Sequence, residues 1–508
     1  MRVRLTSATV AMLLFVAGSA AASDAPVADA SQSRDTEVLR ALLADGADVD
    51  APQPDGATAL HWAAHWNDLP AANALIAAGG AVGVANDYGV TPLFLAASNG
   101  SSAMLDVLLE AGADPNASVS SGETALMAAV RSGNLASVDR LIARQADVNA
   151  TQTSKGQTAL MWATTRLRTD IVQALLDGGA DVAIRSASGF SPLMFGAREG
   201  GIELSRLLLA AGDDVNATSN GGNTPLLVAT VRGHAELAMF LLEQGAQPDG
   251  DFEGAGYTPL HWASSTAETP LTYGEVEAPG EWRAMPGIPD RAGKLALIQM
   301  LIEHGADIEA TMSRPLLAYS TFENRSHRGG TAFHTAAASG DAEVMRLLVA
   351  HGADPLARSG NGWTPIMAAS GAFGNQTPNI EAALSVTEQD RVDAIELAWK
   401  LGNDLEGADR QGYRALHVAT SAGFHNIISW LVEHGADINA KSNDRVEKVA
   451  GRDVAIPGQT PMAVADGFLA GTLWVRPDTS KFLQSLGGFS EGKVNLGNYV
   501  DRLGPKEK

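Results

Sequence analysis

Asn86-Asp87-Tyr88-Gly89-Val90-Thr91-Pro92-Leu93-Phe94-Leu95-Ala96-Ala97 is followed, after six intervening residues, by Met104-Leu105-Asp106-Val107-Leu108-Leu109-Glu110-Ala111-Gly112-Ala113-Asp114-Pro115-Asn116-Ala117. Asn86 to Gly89 has turn chemistry, with Gly89 suited to a positive φ. Thr91 can cap the helix that follows, and Pro92 takes its first position, where a missing N–H costs nothing. Leu93, Leu95, Ala96 and Ala97 make a short helix of small residues that Gly100 closes. Met104, Leu105, Leu108 and Leu109 then lie on one stripe of a second helix, which must face a core. Gly112 ends that helix as a left-handed cap. The unit is turn, helix, turn, helix, loop.

This unit recurs. Its closing residue falls at Gly46, Gly79, Gly112, Gln145, Gly179, Gly212, Gly245, Gly305, Gly352, Gly402 and Gly435, and the first six steps are 33, 33, 33, 34, 33 and 33 residues. Thr58, Thr91, Thr124, Thr158, Ser191, Thr224 and Thr258 keep the same beat. A fixed period of this length predicts an all-α repeat solenoid, in which no unit buries its apolar face alone.

Gly56-Ala57-Thr58-Ala59-Leu60-His61-Trp62-Ala63-Ala64 and Gly256-Tyr257-Thr258-Pro259-Leu260-His261-Trp262-Ala263 are near-complete copies of the first half of the ankyrin repeat. Leu175-Leu176 with Gly179-Ala180-Asp181 matches its second half. The chain therefore resembles exported, multi-repeat ankyrin proteins of bacteria. The resemblance implies about ten full repeats plus caps, stacked helix-turn-helix units with hairpin fingers, over residues 34–486. Departures are local: Gln145 replaces a capping Gly, Arg414 a Thr, and Ala398-Trp399 the Leu pair. Residues 34–46 read as an N-terminal cap, Gln459 to Ala465 with a helix near 478–486 as a C-terminal cap, and 487–508 as an irregular tail.

Residues 1–22 have the form of a secretory signal: Arg2 and Arg4, an apolar run from Ala8 to Val16, then Ala20-Ala21-Ala22. Cleavage after Ala22 is expected, leaving a linker at 23–33, a periplasmic or secreted chain, and no membrane span after cleavage. Loss of the two arginines takes the formal charge from −22 to −24. That charge argues against nucleic acid as a partner. The absence of cysteine rules out disulfides and thiolate chemistry. A monomer stabilised by packing between repeats is expected.

The beat breaks in the C-terminal half. Thr58 to Gly79 is 21 residues, but Thr258 to Gly305 is 47 and Thr364 to Gly402 is 38, which places insertions near 266–291 and 372–388. Two fingers, near 311–328 and 441–457, are enlarged as well. Insertions map to the rim of a solenoid and carry its individuality.

No His-Glu-x-x-His or Cys-x-x-Cys occurs, and no Gly-x-x-x-x-Gly-Lys is followed by Ser or Thr. No cofactor, metal site or enzymatic activity is expected. His61, His261, His334 and His417 occupy the slot whose histidine, by the resemblance, ties adjacent turns together. Trp62, Trp162 and Trp262 read as core. Asn-x-Ser/Thr at Asn116, Asn149 and Asn216 follows from the repeat itself, and the pattern recurs elsewhere, as at Asn324.

The same first-helix slot reads His65-Trp66, Asn99, Arg131, Arg166, Arg198 and Arg232, so four consecutive repeats place an arginine on the expected concave face. This row suits a protein partner with an anionic surface. Arg325 and Arg328 in one enlarged finger lean the same way. His65 and Trp66 would form a hydrophobic end contact. Phe190, Tyr257, Trp363 and Tyr413, each directly after a turn Gly, would supply rigid contact area at the finger tips. The leading expectation is an exported scaffold for protein–protein interaction. One alternative is a small-molecule or enzymatic site built by the inserted loops of repeats seven to ten, using Glu275, Glu277, Asp290 and His327. Another is a secreted effector acting on foreign cells.

Overall fold

The computed structural model describes residues 24–250, 256–265, 288, 290–313, 329–371, 386–449, 452–466 and 476–491. They fall in two compact units, Met1–Ala187 and Ser188–Lys508.

The first unit holds the helix pairs Pro26–Ser33/Thr36–Ala44, Ala59–His65/Leu69–Ala77, Pro92–Ser98/Ser102–Glu110, Ala125–Ser132/Leu135–Ala143 and Ala159–Thr164/Thr169–Asp177. Three of the first helices begin as the repeat chemistry requires. Thr91, Thr124 and Thr158 accept from the backbone N–H of Phe94, Met127 and Met161 at 3.2, 3.3 and 3.3 Å. First helices are buried almost throughout, and their alanines (Ala63, Ala64, Ala96, Ala97, Ala128, Ala129) let neighbouring backbones approach. Second helices bury one stripe, such as Met104, Leu105 and Leu108, or Ile171, Val172 and Leu175.

The segment expected to be a linker, 23–33, contains the helix Pro26–Ser33, with Val27, Ala28 and Ala30 buried. The N-terminal cap is thus a full helix pair. Its first helix lacks the Thr-Pro-Leu signature, and Pro26 stands at its start with no side-chain cap.

Two ladders join neighbouring repeats of this unit. At the fingers, the N–H groups of Asp87, Ser120, Thr153 and Ala187 donate to the carbonyls of Asp55, Tyr88, Ser121 and Lys155 at 3.0, 3.4, 2.9 and 2.7 Å. At the loops, Asn149 donates Nδ2–H to the carbonyl of Gly179 at 3.1 Å and accepts from the N–H of Asp181 at 2.8 Å. Asn116 makes the same pair of bonds with Gln145 and Asp147. These amides are consumed by the fold. Gln145, in place of the usual glycine, still takes φ +63°.

The second unit holds Pro192–Glu199/Ile202–Ala210, Pro225–Val231/Ala235–Glu243, Pro259–Ala263/Arg291–Glu303, Ala332–Ala338/Ala342–Ala350, Pro365–Ser370/Glu388–Lys400, Ala415–Ala422/His425–Glu433 and Pro461–Ala465/Pro477–Ser485. The helices that follow the two inter-helix insertions run 13 residues, against 9 for Ile202–Ala210 or Ala342–Ala350. Residues 266–287, 314–328 and 372–385, the bulk of three insertions, lie outside the described residues. The finger near 441–457 contains an antiparallel hairpin, Arg445–Val449 paired with Arg452–Ile456, in register from Arg445 opposite Ile456 to Val449 opposite Arg452. The fold is helical apart from this ribbon and two isolated bridges in the first unit, among the described residues.

The histidine slot works as a clasp between repeats. His61 Nδ1 accepts from the N–H of Thr58 at 3.0 Å, and its Nε2 lies 2.9 Å from the carbonyl of Val90 in the next finger. In the second unit His334 and His417 make the same pair of contacts, Nε2 reaching the carbonyls of Trp363 and Gln459 at 3.3 and 2.9 Å. With Nδ1 accepting, Nε2 carries the proton and donates, which is the neutral tautomer. Burial pulls His261, His334 and His417 down to about 4.

An unfolded imidazole titrates at about 6.5, so between that pH and about 4 the unfolded chain binds more protons than the folded one. Stability is therefore full above pH ~6.5, falls as pH drops toward 4, and levels off below. Each buried histidine accounts for up to roughly 3 kcal/mol of that fall. Urea unfolding at pH 7 and pH 4.5 should show the loss, and His334→Gln should lower stability at pH 7 while reducing the pH slope by about one proton.

Candidate partner-binding surface

The arginine row does not present four equivalent cations. In the first unit, Arg131 Nη2 lies 3.0 Å from Glu123 Oε1 and 3.5 Å from Ser98 Oγ, and both charged side chains are largely covered. Burial raises the Glu123 carboxyl, and Arg131 opposes that shift. Arg166 is exposed and makes no side-chain hydrogen bond or ion pair among the described residues. In the second unit, Arg198 Nε lies 2.9 Å from Glu199 Oε1 and its guanidinium stands 5.4 Å from the Phe195 ring. Arg232 Nε donates to the carbonyl of Arg198 at 3.1 Å, and burial lowers its pKa. Three of the four arginines are therefore partly spent within the repeats, two of them against neighbouring glutamates.

His65 and Trp66 pack edge to face at 4.6 Å, and Trp66 stacks over Trp62 at 6.5 Å. Trp66 Nε1 donates to the carbonyl of Gln32 at 3.1 Å, and Arg34 stands 6.0 Å from its ring. The first helix pair thus covers part of this aromatic end. Burial lowers the pKa of His65.

The finger aromatics are a correction. Phe190, Tyr257, Trp363 and Tyr413 are buried, at 3, 8, 3 and 1 % exposure, and offer no surface at the tips. The residue after the turn glycine already runs back toward the helix and sits just before its N-cap. There it acts as a hydrophobic staple onto the helix: Phe190 meets Phe195 at 5.7 Å, and Tyr257 meets Trp262 at 6.1 Å. Tyr413 also donates its hydroxyl to Gln459 Oε1 at 3.1 Å, and Trp363 its indole N–H to Asp409 Oδ2 at 3.2 Å. The residue before the glycine is the exposed one. Tyr88, 62 % exposed, is an aromatic finger tip that the sequence reading passed over.

Arg325, Arg328, Glu275, Glu277 and His327 lie outside the described residues. Asp290 is a helix cap, accepting from the N–H groups of Ala292 and Gly293 at 3.2 and 2.8 Å. Where the insertions re-enter the fold, buried cations anchor them. Lys294 Nζ donates to the carbonyl of Ser265 and to Asp341 Oδ2, both at 2.9 Å. Arg291 grips the same Asp341 through two bonds of 2.5 and 2.7 Å. Burial would raise Asp341, but the two cations hold it at about 2. Arg391 Nη1 donates to the carbonyls of Ala338 and Gly371, both at 2.7 Å.

The family profile for ankyrin repeats (three copies) matches residues 27–119, 117–186, 193–270 and 291–380, and the single ankyrin repeat matches 411–443. The chain belongs to the ankyrin-repeat family. The matched ranges leave out 271–290, within the longest insertion, and 381–410, which holds Ala398-Trp399. Among relatives, the NF-kappa-B inhibitor cactus of Drosophila yakuba is 29 % identical over 150 residues, covering 30 % of this chain and 24 % of that protein. The chain thus spans about a quarter of that relative's length. Among solved structures, the ankyrin repeat domain of Bcl-3, titled a unique member of the IkappaB protein family, is 27 % identical with a TM-score of 0.39. It covers 43 % of this chain and 97 % of its own. The human ASB11 ankyrin repeat domain is 27 % identical, with a TM-score of 0.40, 44 % of this chain and 99 % of that domain. The repeats make this ankyrin-repeat protein a scaffold for protein–protein interaction, and no helix among its described residues is long and apolar enough to cross a membrane.

The two classes of finger aromatic should separate cleanly. Tyr413→Ala should cost about 3–5 kcal/mol in urea unfolding, as expected for a buried aromatic. Tyr88→Ala should stay within about 0.5 kcal/mol. Equal losses would contradict the assignment of one to the core and the other to the surface.

Proposed function

We propose that the protein is an exported, non-catalytic scaffold that binds a protein partner through the first-helix and finger side of its repeats. The observation that carries this reading is Arg166, an exposed and unengaged guanidinium on a first-helix surface of the first unit, where the arginine of the preceding repeat, Arg131, is partly neutralised. A cation kept free in a chain of formal charge −22 fits an anionic group on a partner. The Arg131–Glu123 pair of the same unit adds groups of both signs to that surface, suited to fixing register more than to raw attraction. Exposed Tyr88 supplies apolar contact on a finger of the same unit. The buried histidines are used as clasps, which supports binding over acid–base catalysis. The relative cactus, an NF-kappa-B inhibitor, accords with a protein partner.

Affinity capture from the exported fraction tests the binding face. Arg166→Glu should reduce recovery of the partner at least tenfold, with helical circular dichroism unchanged, and recovery equal to wild type would remove Arg166 from the interface. Arg131→Glu is the poorer probe, because it sets a second carboxylate against Glu123.

Export has its own readout. Mass spectrometry of the exported chain should find its N-terminus at Ser23, and a chain retained in the cytoplasm with Met1 intact would end that part of the proposal.

A further inference from the structure

The second helices of the penultimate repeats carry an aromatic cluster that the first-helix interface does not use. Trp399 and Trp430 meet edge to face at 5.8 Å, Trp399 meets His434 at 5.2 Å, and Trp430 stacks on His434 at 3.9 Å. Trp399 is 39 % exposed, and His434 is exposed beside it. Leu356, 51 % exposed, lies against Gly402, three residues beyond Trp399, and extends the apolar surface.

The core does not ask for these indoles. Trp399 stands where the second leucine of the Leu pair falls, and the buried first position is filled by the small Ala398. Nor does the chain satisfy their donors. Trp62, Trp66, Trp162 and Trp363 donate their indole N–H groups to Gln53, Gln32, Gln157 and Asp409. Trp399 and Trp430 donate theirs to nothing among the described residues. Two indole N–H groups without acceptors among the described residues, on rings whose centroids lie 5.8 Å apart, can serve the carbonyls of an extended peptide backbone.

Charge decides what side chains such a peptide carries. Asp393 and Glu396 lie on the helix of Trp399, and Glu433 one turn beyond Trp430. Lys400, the cation beside them, is paired with Glu396 at 2.5 Å, and the Nδ1–H of His434 is held by the carbonyl of Trp430 at 2.7 Å. The exposed Trp399 ring, with Glu433 and the Lys400-paired Glu396 one helical turn from the two indoles, favours a guanidinium or ammonium group through cation–π and ionic attraction.

We propose that Trp399, Trp430 and His434 form a second docking site, for an extended, cationic segment of a partner protein. The site is built on second helices and is independent of Arg166. Fluorescence anisotropy of the intact chain with a labelled (Arg-Gly)4 peptide tests it, with (Glu-Gly)4 as control. Wild type should bind the arginine peptide, with affinity falling between 50 and 500 mM salt. The Trp399→Ala/Trp430→Ala double variant should bind at least tenfold more weakly, with an unchanged unfolding midpoint. If that variant fails to fold, Trp399→Phe/Trp430→Phe keeps the packing and removes both donors, and should still lose about fivefold in affinity. Arg166→Glu should leave this binding unchanged, so either site can fail without the other. Equal binding by the variants, equal binding of the glutamate peptide, no binding by wild type, or a dimer in sedimentation that the double variant abolishes would each overturn the proposal.

Discussion

A helix of seven residues beside one of nine has too little apolar surface to fold alone, so each pair depends on the seam it shares with the next. Within each unit that seam is stitched as well as packed. A histidine clasps the following finger, an asparagine amide spans the following loop, and finger backbones bond in a row. These partners lie about one repeat apart in sequence, so a group that breaks the pattern weakens two repeats at once. The histidines in the motif slot have both ring nitrogens occupied at His61, His334 and His417. His304, His351 and His434 turn Nδ1 back onto the carbonyl four residues earlier, closing the last helical turn.

Insertions strain this scheme, because they separate helices that must still reach the same seam. The second unit answers with an extra helical turn and a buried cation on it. Lys294 and Arg391 sit in the first turn of the two 13-residue helices, and each ties that helix to the end of the short helix before the insertion. An unpaired charge so placed would be costly, and here Asp341 or two carbonyls receive it. Nothing in the spacing of the repeats announces these anchors, although the basic residues were visible at the start of both helices.

The architecture was legible because it is written many times over. Period, caps and Leu stripes each point the same way in successive repeats, and an exception such as Gln145 is carried by its neighbours into the same left-handed turn. The first helix, Pro26–Ser33, was missed because it relies on packing against the next repeat and shows none of the capping signature. The surface was less legible for a sharper reason. A finger reverses direction at its glycine, so residues on either side of that glycine face opposite environments. Tyr88 precedes it and is open to solvent, whereas Phe190 and Tyr413 follow it and staple a helix. Counting one position too far moves an aromatic from an interface to a core.

Charge placement imposes the same discipline on the binding face. A row of arginines read from sequence alone sums to a strong field, but each guanidinium is worth only what its neighbours leave unneutralised. Glu123 lies eight positions before Arg131, on the finger of the same repeat, and the fold brings the two to 3.0 Å. Glu199 follows Arg198 directly. Arg232 turns to a backbone carbonyl instead. Arg166 is left as the cation without such a companion among the described residues, and the face it occupies is polar and mixed rather than uniformly positive. Under the proposed reading a mixed face discriminates by position, since a partner docked there would have to bring an acid to Arg166 and avoid one at Glu123. A chain of net charge −22 gains more from that selectivity than from a broad attraction that its own acids would cancel.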